Sequence, residues 1–266
     1  MPDVIKITDA DDPRIAAYRA IREADVAGRG GGFIVEGEVV LRTCIRAGRH
    51  PLSSVLLAEK RIEGLADVLT RLPRGAPIFA ASQPVLDTIV GFPIHRGVLA
   101  HGVQAPVPEA GALLSSLGPA AVVVALFGVG NHDNMGGVLR NAAGFGVDAV
   151  LVAADCCDPF YRKSIRVSVG AALMLPIVRL EAGVDLVELL EAAGFETVAL
   201  SPSGAIPLAQ FARRGRTALL LGAEGPGLSP EILQRTTTVR IPMAGAFDSL
   251  NLATTSGIAL HQLVFG

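Results

Sequence analysis

Aromatic residues are scarce in this chain of 266 residues, which contains no tryptophan and only two tyrosines. Because aromatic rings are the usual platform on which unpaired bases stack, this scarcity argues against base stacking as a main binding device. Lysine is equally rare: only Lys6, Lys60 and Lys163 occur among the 23 basic residues. The formal net charge of -2 excludes a globally basic nucleic-acid coat protein, but it allows a local basic face made of arginine.

Cysteine is also scarce, with only Cys44, Cys156 and Cys157. Three cysteines, two of them adjacent, cannot form a disulfide framework, and no C-x-x-C pair indicates zinc. We therefore predict a reducing, cytoplasmic location and no bound metal. Two interpretations of the adjacent pair stay open: a nucleophile, or small apolar residues that follow a strand.

Long uninterrupted apolar segments are absent as well. The first twelve residues, MPDVIKITDADD, lack the apolar core of a signal peptide. The longest uncharged stretch, residues 110–132, is long enough to span a bilayer, but Gly111, Gly118 and Pro119 interrupt it. We interpret it as a loop followed by a buried strand, and we expect no membrane association.

What the chain does have is apolar residues, 50% of the total, against 18% charged residues. This composition predicts a sizeable core and excludes disordered and collagen-like classes. Residues 1–105 mix short helix-like and strand-like segments: helices at 13–27 and up to 47, and strands at 33–36, 55–58, 78–80 and 98–103. Residues 106–119 are rich in proline and glycine and are predicted to be a linker.

Residues 120–266 show a regular alternation of strands and helices. Strands are predicted at 121–129, 149–153, 173–178, 197–200, 217–222 and 238–241, and helices at 135–145, 165–170, 185–193, 230–234 and 250–263. Continuous apolar runs such as VVVALF and ALLLG are typical of a parallel sheet that is covered on both faces. We therefore predict an α/β fold with a nucleotide-type site at the carboxyl ends of these strands.

Arginines form three local clusters. Each can be a solvated face or an anion site, and three such clusters in a chain with negative net charge favour anion binding. The clusters are Arg42, Arg46 and Arg49, which share one side of a predicted helix; Arg162, Lys163 and Arg166; and Arg213, Arg214 and Arg216.

The first of three polar loops is GVGNHDNMGGVLRNAAGFGVD, residues 128–148. It follows a predicted strand, but it lacks the third glycine of a dinucleotide-binding loop. Asn134 is predicted to be the N-cap of the following helix. Arg140 lies among apolar neighbours on that helix, so it must extend to solvent or face a phosphate or carboxylate.

The second and third loops also follow predicted strands. In LGAEGPGLS, residues 221–229, Glu224 stands at the carboxyl end of a strand, and Ser229 is a predicted N-cap. In the third loop, residues 241–251, either Asp248 or Ser249 is the expected cap of the last helix. Asn251 is placed in the first turn of that helix, where it can form hydrogen bonds with no chemical role.

Taken together, the patterns N-x-G-x-x-x-R-N-A at 134–142, LGAEGPGLS at 221–229 and IPM…DSLN at 241–251 resemble the three motifs of the SpoU/TrmH-type RNA 2′-O-ribose methyltransferases of the SPOUT superfamily. Ser168, Gly170 and Pro176 resemble a further segment of that family. The segments FIVEGEVVLRTCIRAG and SSVLLAE are similar to the ribosomal-protein-like RNA-binding domain often found ahead of the catalytic domain. One departure is His132-Asp133, where members often have Pro-Gly.

The resemblance implies a fold and a site. It implies a carboxyl-terminal parallel-sheet SPOUT domain at 120–266 with a deep trefoil knot, an exception to the rule that chains do not thread their loops, preceded by a small α/β RNA-binding domain at 1–105. It implies a homodimer with active sites at the subunit interface, and S-adenosylmethionine as cofactor. The implied catalytic residues are Asn134, Arg140, Glu224, Ser249 and Asn251. The cofactor residues are Leu200, Gly222, Ala223, Glu224, Gly225, Ile241, Met243 and Leu250, and the RNA contacts are Arg42, Arg46, Arg162 and Arg166.

The chemistry restricts the role of Arg140. A methyl sulfonium is already activated, so attack by a ribose hydroxyl needs positioning and the loss of one proton, without a metal. Arg140 resembles the general base proposed for the family, but the very weak acidity of a guanidinium group makes that role demanding. We therefore hypothesise that Arg140 clamps an RNA phosphate and orients the hydroxyl, while Glu224, Ser249 and Asn251 hold the cofactor and the loops.

The substrate and two other functions stay open. A transfer RNA and a ribosomal RNA fit the sequence equally. A non-catalytic RNA-binding or ribosome-assembly factor that keeps the fold is the first alternative. A nucleotide-dependent oxidoreductase is the second, and the missing third glycine disfavours it.

Overall fold

The computed structural model describes residues 3–19, 21, 31–245 and 249–266. The chain forms two compact units. The first unit comprises Met1–Pro106 and Phe160–Met174, and the second comprises Val107–Pro159 and Leu175–Gly266. The domain boundaries predicted from the sequence, at residues 105 and 120, differ from these two units in two places. Residues 160–174 belong to the first unit, and residues 107–119 belong to the second.

The first unit is built on a mixed five-stranded sheet with the order β1-β4-β3-β5-β2. The strands are β1 (Val4–Ile7), β2 (Gly32–Glu36), β3 (Leu52–Ala58), β4 (Ile78–Ala81) and β5 (Val98–Val103). Strand β5 runs antiparallel to both of its neighbours, and the other pairs are parallel. The four strands predicted in this part of the chain are confirmed, whereas β1 was not predicted.

The helices of the first unit are short. Those in the described part of residues 1–106 are α1 (Glu38–Ala47), α2 (Ala66–Leu69) and α3 (Gln83–Val90), with 3-10 helices at Pro13–Tyr18, Glu59–Arg61 and Glu63–Leu65. The prediction of a long helix at 13–27 is wrong over its first turns, because the backbone is non-helical at Ile15 and the cap is already reached at Arg19. Most of the rest of that helix, and most of the predicted break at 28–32, lies outside the described residues.

The second unit is built on a seven-stranded sheet with the order β10-β12-β9-β11-β6-β7-β8, in which every strand pair is parallel. The predicted parallel sheet is therefore confirmed. Its strands are β6 (Val122–Leu126), β7 (Ala149–Val152), β8 (Ile177–Arg179), β9 (Glu196–Leu200), β10 (Ile206–Pro207), β11 (Thr217–Leu221) and β12 (Thr237–Arg240). Strands β6 and β11 are buried along their whole length, as expected for central strands covered on both faces.

The helices of the second half of the chain are α4 (Ala110–Ser116), α5 (His132–Gly144), α6 (Arg162–Val167), α7 (Leu186–Ala192), α8 (Pro230–Arg235) and α9 (Leu252–Phe265), with 3-10 helices at Ala171–Leu173 and Leu208–Gln210. Of these, α6 and the 3-10 helix Ala171–Leu173 belong to the first unit. In the part of the chain that the structure describes, no helix is both long enough and apolar enough to cross a membrane.

The predicted linker at 106–119 is wrong for residues 110–116, which form α4. Leu113 and Leu114 are buried, and both belong to the hydrophobic core of the second unit. Burial of these two leucines stabilises a helix whose local sequence, with Gly111 and two serines, has a weak helix preference. The predicted strand at 173–178 is likewise reduced to β8, since residues 171–173 form a 3-10 helix.

Two helix caps differ from the predicted ones. Asn131 caps α5, because its side-chain oxygen accepts from the backbone N–H of Asp133 at 2.7 Å and of Asn134 at 3.4 Å. Asn134 therefore lies inside the first helical turn and is buried. Asn251, rather than Ser249, caps α9, whereas Asp248 lies outside the described residues. The predicted cap Ser229 is confirmed, with the N–H of Ile232 at 3.3 Å.

Helices α5 and α9 pack closely against each other. A Cβ at Gly137 would overlap the Cβ of Ala253, so only glycine allows this approach of the two backbones. Asn141 joins the helices by donating to the carbonyl oxygen of Ala253 at 2.6 Å and to the hydroxyl of Ser256 at 2.9 Å. This packing brings the start of α9 beside the first turn of α5.

The third arginine cluster serves the fold of the second unit. Arg216 donates to the carbonyl oxygens of Ala193 at 2.9 Å and of Gly118 at 3.2 Å, to the carbonyl oxygen of Leu117, and lies over the ring of Phe195. These carbonyls follow α4 and α7, where helix ends leave backbone acceptors without partners. Most of the donors of this guanidinium are thus used within the protein, which disfavours anion binding by Arg216.

We expect Arg216→Lys to lower the free energy of unfolding by about 2 to 3 kcal/mol, because an ammonium group cannot reach several carbonyls at once and each lost bond costs about 0.5–1.5 kcal/mol. Urea denaturation measures this change. The exposed Arg214 provides the matched control, and Arg214→Lys should leave stability within about 0.5 kcal/mol. Equal stability of the two variants would show that the carbonyls find other partners.

Candidate functional site

The carboxyl ends of β9, β11 and β12 and the start of α9 enclose a cavity of about 420 Å³. Parallel sheets present their ligands at this edge, so the position agrees with the site expected for the fold. The structure brings all eight predicted cofactor residues to the wall of this cavity. They are Leu200, Gly222, Ala223, Glu224, Gly225, Ile241, Met243 and Leu250.

One wall of the cavity depends on Gly222. A Cβ at this position would overlap the backbone carbonyl carbon of Gly227 and the backbone nitrogen of Leu228. The loop after β11 therefore folds back directly over the end of its own strand, and the N–H of Gly227 donates to the carbonyl oxygen of Ala223 at 3.1 Å. Gly225 and Gly227 adopt φ values of +85° and +70° in this turn, a region that favours glycine.

Asn251 is bonded to two other predicted catalytic residues, Asn134 and Glu224. Its side-chain oxygen caps α9 by accepting from the N–H of Ala253 at 2.9 Å and of Thr254 at 3.4 Å. Its amide nitrogen donates to Oδ1 of Asn134 at 2.8 Å and to Oε1 of Glu224 at 3.3 Å. Because the oxygen is used by the cap, the amide group can adopt only one orientation, and it acts as a donor toward both partners.

The two other predicted catalytic residues take different positions. Ser249 lines the cavity, together with Asn251. Arg140 does not: it lies on the third turn of α5 and is exposed. Within the described ranges Arg140 forms no ion pair, so its guanidinium is available to a ligand outside the cavity.

The described lining of the cavity is mostly uncharged. Among its described lining residues, Glu224 is the only ionisable one, and the other side chains are apolar, hydroxyl or amide groups. No group of three or more histidine, cysteine or acidic residues that could hold a metal ion occurs in the described part of the chain.

Six lining residues were not predicted from the sequence: Ser201, Pro202, Leu221, Gly227, Leu252 and Thr255. Ser201 and Pro202 directly follow the last residue of β9, so the rule that parallel strands present ligands at their carboxyl ends could have found them. Thr255 lies one turn into α9, and only the direction of that helix places it at the cavity.

The arginines predicted to contact RNA in the first unit are mostly held in ion pairs. Arg42 pairs with Glu38 at 2.9 Å and with Asp67 at 2.6 Å. Arg162 pairs with the buried carboxylate of Glu36 and has only 13% of its side chain exposed. Arg162 thus attaches α6 to the sheet of the first unit, and this role disfavours an RNA contact.

The two other predicted RNA contacts are more accessible. Nη1 of Arg166 lies 3.7 Å from Oε1 of Glu36, and 39% of its side chain is exposed. Arg46 is exposed on α1 and forms no ion pair with any residue the structure describes. A contact between the first unit and RNA is therefore better placed on Arg46 and Arg166 than on Arg162.

The two adjacent cysteines do not form a nucleophilic site. The Cys156 sulfur accepts from the N–H of Val129 at 3.3 Å and donates to the carbonyl oxygen of Leu126 at 3.4 Å, so it is a buried part of the loop after β7. Burial raises the pKa of Cys156 and raises that of Cys157 to about 11. Both thiols are protonated at neutral pH, which favours the structural interpretation.

Comparison with known proteins shows similarity to one family. Residues 121–261 match the family described as the SpoU rRNA Methylase family. An uncharacterized tRNA/rRNA methyltransferase of Mycobacterium tuberculosis is 36% identical over 269 residues, which are 98% of this chain and 91% of that protein. The 23S rRNA (guanosine-2′-O-)-methyltransferase RlmB of Escherichia coli is 30% identical over 195 residues, which cover 72% of this chain and 80% of that protein.

Solved structures show the same similarity. An AdoMet-bound rRNA methyltransferase from Sinorhizobium meliloti superposes with a TM-score of 0.82 and 25% identity, and the alignment covers 98% of this chain and 97% of that one. The SpoU methyltransferase AviRb from Streptomyces viridochromogenes, in complex with AdoMet, has a TM-score of 0.81 and 25% identity, with 95% and 98% coverage.

Proposed function

The chain belongs to the SpoU rRNA methylase family, and from this premise we propose that it transfers the methyl group of S-adenosylmethionine to the 2′-hydroxyl of a ribose in structured RNA, either a transfer RNA or a ribosomal RNA. One observation carries the proposal. The eight residues expected to hold the cofactor line one cavity, and Asn251, also at its wall, donates to Glu224 and to Asn134.

The cavity fits this cofactor. Its volume of about 420 Å³ lies within the range of roughly 300–1,000 Å³ that is typical of small-molecule pockets. The close approach at Gly222 leaves main-chain groups at the wall, where they can pair with an adenine. The carboxylate of Glu224, among the neutral side chains of the described lining, suits a cation. Two structural neighbours contain AdoMet, and the RlmB relatives support the ribose hydroxyl as acceptor.

S-adenosylmethionine supplies an activated methyl group, and the residues of the chain position the cofactor and the RNA for the reaction. The loops around Gly222, Ile241 and Leu250 would hold the adenosine part of the cofactor. Asn251 holds Glu224 and Asn134 in place. The guanidinium of Arg140 clamps an RNA phosphate and orients the attacking hydroxyl, whose proton leaves by way of that phosphate to water.

The family implies further features, which we retain as proposals. They are the trefoil knot, the homodimer with active sites at the subunit interface, the cytoplasmic location and the ribosomal-protein-like RNA-binding role of residues 1–105. The homodimer is supported by a shallow apolar groove of about 450 Å³ that includes Ile258 of α9, and by Phe265, whose exposed fraction is 68%. Exposed apolar surface of this kind marks interaction sites.

The test measures transfer of labelled methyl from S-adenosylmethionine to unmodified transfer RNA and ribosomal RNA, followed by alkaline hydrolysis. A 2′-O-methyl group blocks hydrolysis of the adjacent phosphodiester, so we expect the label in alkali-resistant dinucleotides. Label in mononucleotides would contradict ribose methylation, since it would place the methyl on a base. If the purified protein bound RNA but no S-adenosylmethionine, the ribosome-assembly alternative would replace the proposed function.

A further inference from the structure

Glu224 is the charged residue in the described part of the cofactor cavity's lining. No lysine, arginine or histidine is found among the described residues that line the cavity, and Glu224 forms no ion pair with any described residue. A carboxylate without a cationic partner, placed at the wall of a small-molecule cavity, attracts a positively charged ligand.

The carboxylate is held at the cavity by a chain of hydrogen bonds. Oε1 of Glu224 accepts from the amide nitrogen of Asn251 at 3.3 Å, and the same nitrogen donates to Oδ1 of Asn134 at 2.8 Å. The Asn251 oxygen is used by the N-terminus of α9. Asn251 is thereby fixed on two sides, and it restrains Glu224 without neutralising its charge.

The proposed reaction changes the charge of the bound ligand. The bond between sulfur and the methyl carbon breaks, its electron pair stays on sulfur, a bond between the ribose oxygen and the methyl carbon forms, and the hydroxyl proton leaves. The sulfonium cation thus becomes a neutral thioether, and the net charge of the ligand falls from +1 to zero. A carboxylate in the cavity distinguishes these two states.

We propose that Glu224 makes the cavity bind S-adenosylmethionine more tightly than its product S-adenosylhomocysteine. Transfer of the methyl group thereby lowers the affinity for the cofactor and favours release of the product. The inference rests on the proposed function and extends it to product release. Glu224 is exposed, so solvent screens its charge, and we expect a preference of several-fold rather than of many orders of magnitude.

Isothermal titration calorimetry with the two ligands tests the proposal on the full chain. We expect Glu224→Gln to weaken binding of S-adenosylmethionine about fivefold to tenfold and to leave binding of S-adenosylhomocysteine unchanged. Glu231→Gln is the matched control, because it removes an exposed carboxylate of α8 that does not line the cavity, and it should keep the wild-type ratio of affinities. In wild type the preference should shrink as salt is raised.

Two results would overturn the proposal. If Glu224→Gln kept the wild-type ratio of affinities, the charge would have no part in selection. If the substitution weakened binding of both ligands equally, Glu224 would serve only to shape the loop. Glu224→Asp, which keeps the carboxylate, should retain the preference even if overall binding falls. Wild-type protein that bound neither ligand would overturn the proposed function itself, a result distinct from a changed ratio.

Discussion

An Arg140→Ala variant is expected to lose RNA methyl transfer by about 10²- to 10³-fold, the loss typical of removing one preorganised donor that acts on the reacting groups. The same variant should bind S-adenosylmethionine as tightly as wild-type protein, because Arg140 lies on the exposed side of α5 and does not line the cavity. Single-turnover transfer to the identified RNA measures the first effect, and calorimetry measures the second.

Substitution by lysine separates the two roles considered for Arg140. A phosphate clamp needs positive charge, so Arg140→Lys should retain measurable transfer with weaker RNA binding, since an ammonium group lacks the bidentate geometry. Arg214→Lys, at an exposed arginine of the second unit, controls for a general loss of the guanidinium group. Normal RNA binding by Arg140→Ala, together with abolished turnover, would contradict the clamp and favour a role in proton removal.

Gly222→Ala is expected to reduce the affinity for S-adenosylmethionine by at least about 100-fold and to lower the melting temperature. The added methyl group would overlap backbone atoms of Gly227 and Leu228, which cannot move aside as the end of a flexible side chain can. The loop after β11 must shift, and that loop supplies a large part of the cavity wall. Overpacking of this kind typically costs about 1–3 kcal/mol even in a core that can adjust.

Calorimetry and thermal unfolding check this expectation, with Gly144→Ala as the control. Gly144 is the last residue of α5, and a Cβ there meets no atom within 4 Å. Its replacement by alanine should leave cofactor affinity unchanged and stabilise the helix by up to about 1 kcal/mol. Wild-type affinity in Gly222→Ala would show that the loop can open without cost and that the close approach is not required.

The parallel sheet could be predicted from the sequence because its signal is local. Strands such as β6 and β11 are continuous apolar runs bounded by glycine or polar residues, and that pattern fits only an element buried on both faces. The residues that line the cavity could be predicted for a different reason. They lie at the end of β9 and in the loops after β11 and β12, far apart in the chain, and only the resemblance to one family joined them before the structure did.

Other features could not be predicted because they depend on distant residues. Helix α4 forms because the core of the second unit buries Leu113 and Leu114, whereas its glycine and serines predict a loop. Residues 160–174 belong to the first unit, where Arg162 pairs with the buried Glu36, a residue 126 positions earlier in the chain. Such a pairing has no local signal.

The N-caps of the helices illustrate the difference between what local sequence decides and what contacts between distant residues decide. Both Asn131 and Asn134 are good N-cap residues, and propensity alone does not choose between them. The sequence by itself determined the α/β class, the parallel sheet and the loops that carry the site, since each depends on the character of neighbouring residues. Only the tertiary structure decided that Asn131 caps α5 and that the side chain of Asn134 accepts from Asn251, because a side-chain amide bonds to the partner that packing brings within reach.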